Sequence, residues 1–168
     1  MLELIALALF AGLLVYAACT DIASLTIANW VSIALAGIFV IAALLTGMPL
    51  DQIGLHFLFG FGVLAVGFFL FQANVIGGGD AKLLAAAAIW TGFPAFPAFM
   101  FWTAIAGGVI ALSLIAARRW VPQVEGGPDF VNRLLTPGSG VPYGVAIMAG
   151  GLAALPSLPL AQTSLTLP

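Results

Sequence analysis

Two long stretches of this chain, Ile53 to Ala73 and Leu83 to Ala117, carry no charged residue at all. A soluble domain has to wet its outside, and segments this long and this apolar have no means of doing so. Across the whole chain 63% of residues are hydrophobic and only 6% are charged, with a mean hydropathy of +1.22. In lipid the backbone must satisfy its own hydrogen bonds, which leaves helices or closed barrels, and runs of this length favour helices. The expected fold class is therefore all-α, a polytopic transmembrane helical bundle. A formal net charge of −2, from four Lys/Arg and six Asp/Glu, leaves no basic face for nucleic acid. One cysteine excludes an internal disulfide, and one Cys with one His cannot build a usual zinc site, so neither metal nor cofactor is expected.

A crossing helix needs about 20 largely apolar residues. On that measure spans are expected at about 2–19, 27–45, 53–73, 98–117 and 141–160, with a shorter fourth segment at about 81–90. The first is expected to be a retained span, because Glu3 is its one early charge and no basic region precedes it. Gly92-Phe93-Pro94-Ala95-Phe96-Pro97 reads as a turn closing the fourth segment, which is either a short crossing or a re-entrant loop. Charge decides between them. Lys82, Arg118, Arg119 and Arg133 are all the basic residues, and a crossing puts all four on one side, as the positive-inside rule requires. About six spans follow, with both termini outside, in one integral-membrane domain over residues 1–168. The polar stretch 122–140, with Glu125, Asp129 and Arg133, is expected to be a wet loop.

Asp80 stands between the two uncharged runs. A carboxylate at mid-membrane depth costs about 2.5–3.5 kcal/mol, so it calls for a task or a partner. Just before it, Gly77, Gly78 and Gly79 remove side-chain bulk and permit positive φ, letting the backbone leave a helix and another segment come close. Asp21 ends the first expected span. Two crossings separate it from Asp80, so both return to the cytoplasmic end where the basic residues gather. Two carboxylates held close share one proton; the ionised one can take a proton from water while the protonated one polarises a carbonyl. Asp21 and Asp80 are thus a candidate catalytic pair. Other readings stay open. Asp80 suits a helix N-cap, Asp21 can simply end a helix at the interface, and the glycines suit the broken helix of a transporter. In that case a small transporter or ion-binding subunit would use both aspartates as proton or cation carriers; a non-catalytic scaffold is the third option. Lys82 reads as an interface anchor, Tyr143 as a head-group anchor, and Arg118 and Arg119 as topology determinants. No role is expected of His56.

Gly77-Gly78-Gly79-Asp80-Ala81-Lys82-Leu83 resembles the G-x-G-D-x-K-L motif of the type IV prepilin peptidases, a family of intramembrane aspartyl proteases. Cys19-Thr20-Asp21-Ile22, followed by Ile27-Ala28-Asn29, is similar to the family's first motif, with Ala28 where the family has proline and no basic residue between Ala23 and Thr26. Val141-Pro142-Tyr143-Gly144 resembles its late Pro-Tyr-Gly motif. The resemblance implies catalysis by Asp21 and Asp80, with Gly77, Gly78 and Gly79 where the substrate backbone approaches. Lys82, Asn29, Pro142, Tyr143 and Gly144 become candidate supporting residues. It implies a prepilin substrate, cut after the glycine that ends its basic leader, at the cytoplasmic face of a bacterial inner membrane, with pilus secretion machinery as a partner. Without paired Cys-x-x-Cys motifs ahead of the first span, the chain resembles the small peptidase-only form associated with Tad/Flp pili, and N-methylation is not expected.

Overall fold

The computed structural model describes residues 1–121 and 127–165. Its elements are helical throughout: α1 (Leu2–Ser24), α2 (Asn29–Leu45), α3 (Leu50–Gln72), α4 (Gly78–Trp120), α5 (Asp129–Leu135), α6 (Tyr143–Ala154), a 3-10 turn at Leu155–Ser157, and α7 (Pro159–Leu165). By length and composition α1, α3, α4 and the segment Tyr143–Gln162 can each cross a membrane. The 17 residues of α2 add about 26 Å of helix. The molecule is an all-α membrane bundle.

Helices α1 and α2 each turn one stripe inward. On α1 the buried positions are Ala6, Phe10, Leu14, Ala17 and Ala18, three or four residues apart, and α2 repeats the pattern with Val31, Leu35, Phe39 and Ala42. The opposite faces expose large apolar side chains such as Leu4, Ile33, Ile41, Phe61 and Phe69, as lipid-facing helices do. Trp90, 1% exposed, sits where α1, α2 and α4 meet. Its ring lies 4.8 Å from Phe10 and 5.7 Å from Phe39, and its indole N–H donates to the Leu35 carbonyl at 2.9 Å. A buried indole needs such an acceptor, and Leu35 supplies it from the middle of α2.

The fourth and fifth expected spans are the two arms of α4. Only Gly92 leaves the helix, at φ 55°, ψ −175°, while Pro94 and Pro97 lie inside helical structure instead of forming the expected turn. The reason is positional: Pro94 falls in the first turn of the second arm, where a missing N–H costs nothing. Gly92 takes the left-handed conformation that glycine tolerates, and a Cβ there would come within 2.7 Å of the His56 ring. The chain direction reverses at this point. Arm 78–91 runs antiparallel to α3, with Ala81 against Gly67 and Ile89 against Gly60. Arm 93–120 runs antiparallel to α6, with Thr103 against Gly150 and Gly107 against Tyr143 and Ala146. Lys82 and Arg118 therefore end up at the same end of the bundle, as expected of a short crossing and not of a re-entrant loop.

His56 does have a structural task. Its Nδ1–H donates to the Ile89 carbonyl at 2.6 Å, next to the break, where the helical hydrogen-bond ladder is interrupted. Other departures are smaller. The first helix continues to Ser24, so Asp21 lies within its last turns and not at its end. The polar loop contains α5, and Glu125 lies outside the described residues. The last span is interrupted at Leu155–Ser157, where Pro156 tightens the chain into a 3-10 turn.

Candidate active site

Asp21 is only 5% exposed. Its Oδ2 accepts a hydrogen bond from the Gly144 backbone N–H at 2.7 Å. Pro142 caps α6, so Gly144 lies in the first helical turn, whose amides have no partner within the helix. A carboxylate also suits the positive end of the helix dipole. Gly144 has to be glycine on grounds of space: a Cβ would stand 2.9 Å from Asp21 Oδ2, 3.0 Å from Asp21 Cβ and 3.2 Å from Ile27 Cδ1. Tyr143 is exposed and its ring lies against Gly107 on the long arm of α4.

Asp80 is half-buried in the first turn of α4. Its Oδ2 accepts from the Gly77 N–H at 3.3 Å, the reach-back half of a capping box; the N-cap is Gly77 and Asp80 is the third helical residue, which corrects the expected N-cap position. Gly77 is extended (φ −71°, ψ 147°), and the positive φ values among glycines fall at Gly47, Gly92 and Gly138. The expectation that the 77–79 run uses left-handed backbone is thus corrected: what it provides is room. A Cβ at Gly77 would meet Asp80 Oδ2 at 2.7 Å, one at Gly78 would meet the Phe71 ring at 3.4 Å, and one at Gly79 would meet Ile27 Cβ at 3.2 Å.

Ile27, buried in the short link between α1 and α2, therefore touches both neighbourhoods, Gly79 on one side and Gly144 on the other. The sequence places Ile27 in the motif segment Ile27-Ala28-Asn29 but gives it no role of its own. The link is held by Lys82, whose exposed ammonium donates to Asn29 Oδ1 at 2.8 Å and ties the first turn of α4 to that of α2. Ala28, the N-cap of α2, has φ −68°, the angle a proline ring enforces, so the backbone keeps a proline-like course without the proline. Asp21, bonded to Gly144, and Asp80, bonded to Gly77, thus lie at the same end of the bundle, on either side of Ile27. Among the described residues no group of three or more His, Cys, Asp or Glu side chains is placed to hold a metal ion.

Cavity size does not point to this place. A groove of about 1000 Å³ runs along α3 past Gln52, His56, Phe59, Leu84 and Phe93, and neither aspartate lines it. A second, about 450 Å³, opens at the Lys82–Asn29 pair and holds Ser32 and Ile89 deeper in. What marks the site is chemistry: a carboxylate pair with separate backbone donors, glycine-lined approaches, and an otherwise apolar surround. Such a pair can exchange protons with a bound water and a carbonyl.

Fold and site together define a multi-pass membrane protein with two of its aspartates, Asp21 and Asp80, at one end of the bundle. The chain belongs to the type IV leader peptidase family, whose sequence model matches residues 8–112. It is accordingly a protease of the leader-peptidase kind, embedded in the membrane, and the family implies a prepilin substrate. The matched stretch contains Asp21, Asn29, Gly77 to Gly79, Asp80 and Lys82, whereas Pro142, Tyr143 and Gly144 lie beyond it. Comparison with curated proteins and with solved structures found no match.

Proposed function

We propose that the chain is an intramembrane aspartyl endopeptidase, one domain over residues 1–168, that removes the leader of Flp/Tad-type prepilins at the cytoplasmic face of a bacterial inner membrane. Asp21 and Asp80 hold one proton between them. The ionised carboxylate takes a proton from the attacking water, and the protonated one donates to the scissile carbonyl oxygen, in the aspartic-protease manner. Gly77, Gly78 and Gly79 mark where an extended substrate backbone approaches, and Gly144 lets its helix close on Asp21 and Ile27. Lys82 and Asn29 fix the link that carries Ile27, and Pro142 and Tyr143 start the helix whose amide reaches Asp21. The pilus secretion machinery would receive the mature pilin.

The observation that supports this reading is that Asp21, on α1, and Asp80, on α4, have their backbone partners Gly144 and Gly77 at one end of an apolar bundle, where Ile27 packs against both Gly79 and Gly144. The cytoplasmic assignment draws support from the basic residues, which share that end and obey the positive-inside rule there. The test is cleavage of a Flp-type pilin precursor by the purified protein in detergent, beside Asp21→Asn and Asp80→Asn. Each substitution keeps the shape and removes the acid/base function, and is expected to lower the rate by at least about 10²-fold. Trimming that persists in either variant rejects the aspartyl mechanism. A precursor from another pilus class, cut equally well, rejects the Flp/Tad preference alone.

A further inference from the structure

Arg118 does more than carry a charge. It ends the long arm of α4, half-buried, and its Nε donates to the Leu134 carbonyl at 2.8 Å. Its Nη2 donates to the Ser139 carbonyl at 3.0 Å, to Ser139 Oγ at 2.7 Å and to the Gly140 carbonyl at 3.0 Å. Leu134 lies in the last turn of α5, where carbonyls have no helical partner. Between it and Gly140 the chain turns tightly, with Ser139 N–H donating to Thr136 O and Gly138 at φ 83°. Two residues after Gly140 stands Pro142, the N-cap of the helix that presents Gly144 to Asp21. On the other flank, Arg133 Nη1 donates to the Ala23 carbonyl at 2.8 Å, docking α5 on the end of α1.

The neighbouring Arg119 provides the contrast. It is exposed and lies over the Trp120 ring at 5.7 Å. Two arginines serving only to mark the cytoplasmic side would have no reason to differ. One of them directs its Nε and Nη2 at three backbone carbonyls and a hydroxyl, a set of charge-assisted bonds that suits a planar guanidinium.

We infer that Arg118 is a positioning residue of the peptidase: by fixing the segment 134–140 it sets where the Gly144 N–H stands and, through that bond, where the Asp21 carboxylate points. The inference rests on Asp21 being one of the catalytic pair. Arg118 touches neither substrate nor aspartate, so its loss lowers kcat and leaves KM alone. Lysine keeps the charge and the membrane orientation but, as a point donor, cannot span the three carbonyls.

The test uses the full chain in detergent with a pilin precursor, comparing wild type, Arg118→Lys, Arg118→Ala and Arg119→Ala. Arg118→Lys is expected to lose about ten- to a hundredfold in kcat at unchanged KM, because a small misplacement of a catalytic group costs that much. Arg119→Ala is expected to match wild type. Hydrogen exchange at the Gly144 amide gives a readout that does not depend on cleavage, and it is expected to quicken in Arg118→Lys but not in Arg119→Ala. Should Arg118→Ala fail to fold, the lysine variant carries the test. Both results in Arg118→Lys, slower turnover and a loosened Gly144 amide, are required; the absence of either overturns the inference, as does an equal loss in Arg119→Ala. Cleavage that survives Asp21→Asn overturns instead the catalytic reading of Asp21, while the Gly144 exchange still reports what Arg118 holds.

Discussion

Asp21 and Asp80 carry the same functional group at the same end of the bundle, yet they are held in opposite ways. Asp80 is fixed by its own neighbours: it bonds the N–H of Gly77, three residues away, at 3.3 Å, and stays half-buried. Asp21 is buried and bonds an amide on the last long segment of the chain, Gly144, at 2.7 Å. One position is set by local sequence, the other by the assembly of the whole bundle. A carboxylate held locally can be in place before the bundle closes, whereas Asp21 acquires its partner only once α6 has packed against α1. The difference explains why three separate devices converge on the Asp21 side: Arg118, Arg133 and the lack of a side chain at Gly144.

The sharpest way to break this comparison is activity itself. Asp21→Asn and Asp80→Asn should each lower cleavage to the same degree, at least about 10²-fold, because the proposed mechanism requires both members however each is held. A large inequality in a precursor-cleavage assay would mean that one of them is not a partner in proton transfer. Next come the glycines beneath them. Gly144→Ala brings a Cβ against Asp21 Oδ2 and Cβ, groups close to a helix backbone, and is expected to lower kcat by about tenfold, some 1.4 kcal/mol. Gly77→Ala meets only the tip of Asp80, which can swing aside, so a smaller loss is expected from the same kinetic measurement. Stability should separate the two sites as well. Asp21→Ala leaves a buried N–H unpartnered and should cost about 1–3 kcal/mol. Asp80→Ala removes an acidic group from a helix start, worth about 0.3–1 kcal/mol. Denaturation midpoints in detergent that rank these two variants the other way would contradict the local-versus-assembled distinction. The smallest effect is expected at Ala28→Pro, which should retain cleavage and gain about 0.4–1 kcal/mol, since the backbone already holds a proline-compatible angle. A loss of stability there would show that the link to α2 depends on the Ala28 N–H.

The same distinction governs what could be read from sequence. Asp80 announces itself because everything that holds it, Gly77 to Gly79 and the helix start, is contiguous with it. The all-α membrane class and the gathering of basic residues at one end were legible for a similar reason, since long uncharged runs leave few solutions. The reversal in α4 was legible in place but not in form. Pro94 and Pro97 look like loop residues until Gly92 alone is seen to make the turn, which puts both prolines within the start of a new helix. Hydrogen bonds between distant residues were out of reach. Nothing in the neighbourhood of Gly144, Arg118 or His56 in sequence reveals that they bond Asp21, Gly140 and Ile89 respectively. Ile27 is an intermediate case: it stands in the motif segment Ile27-Ala28-Asn29, but the two glycines it touches could not be read from sequence.

The unequal arms of α4 have a consequence for solvent. Helical rise puts Asp80 about 18 Å from Gly92, and Arg118 about 39 Å from it. With Gly92 at one edge of a hydrocarbon layer about 30 Å thick, Arg118 clears the far edge and Asp80 stops about 12 Å short of it. Hydrolysis consumes a water molecule, so the leaflet beside the long arm must be breached by a hydrated funnel or drawn thin around the short one.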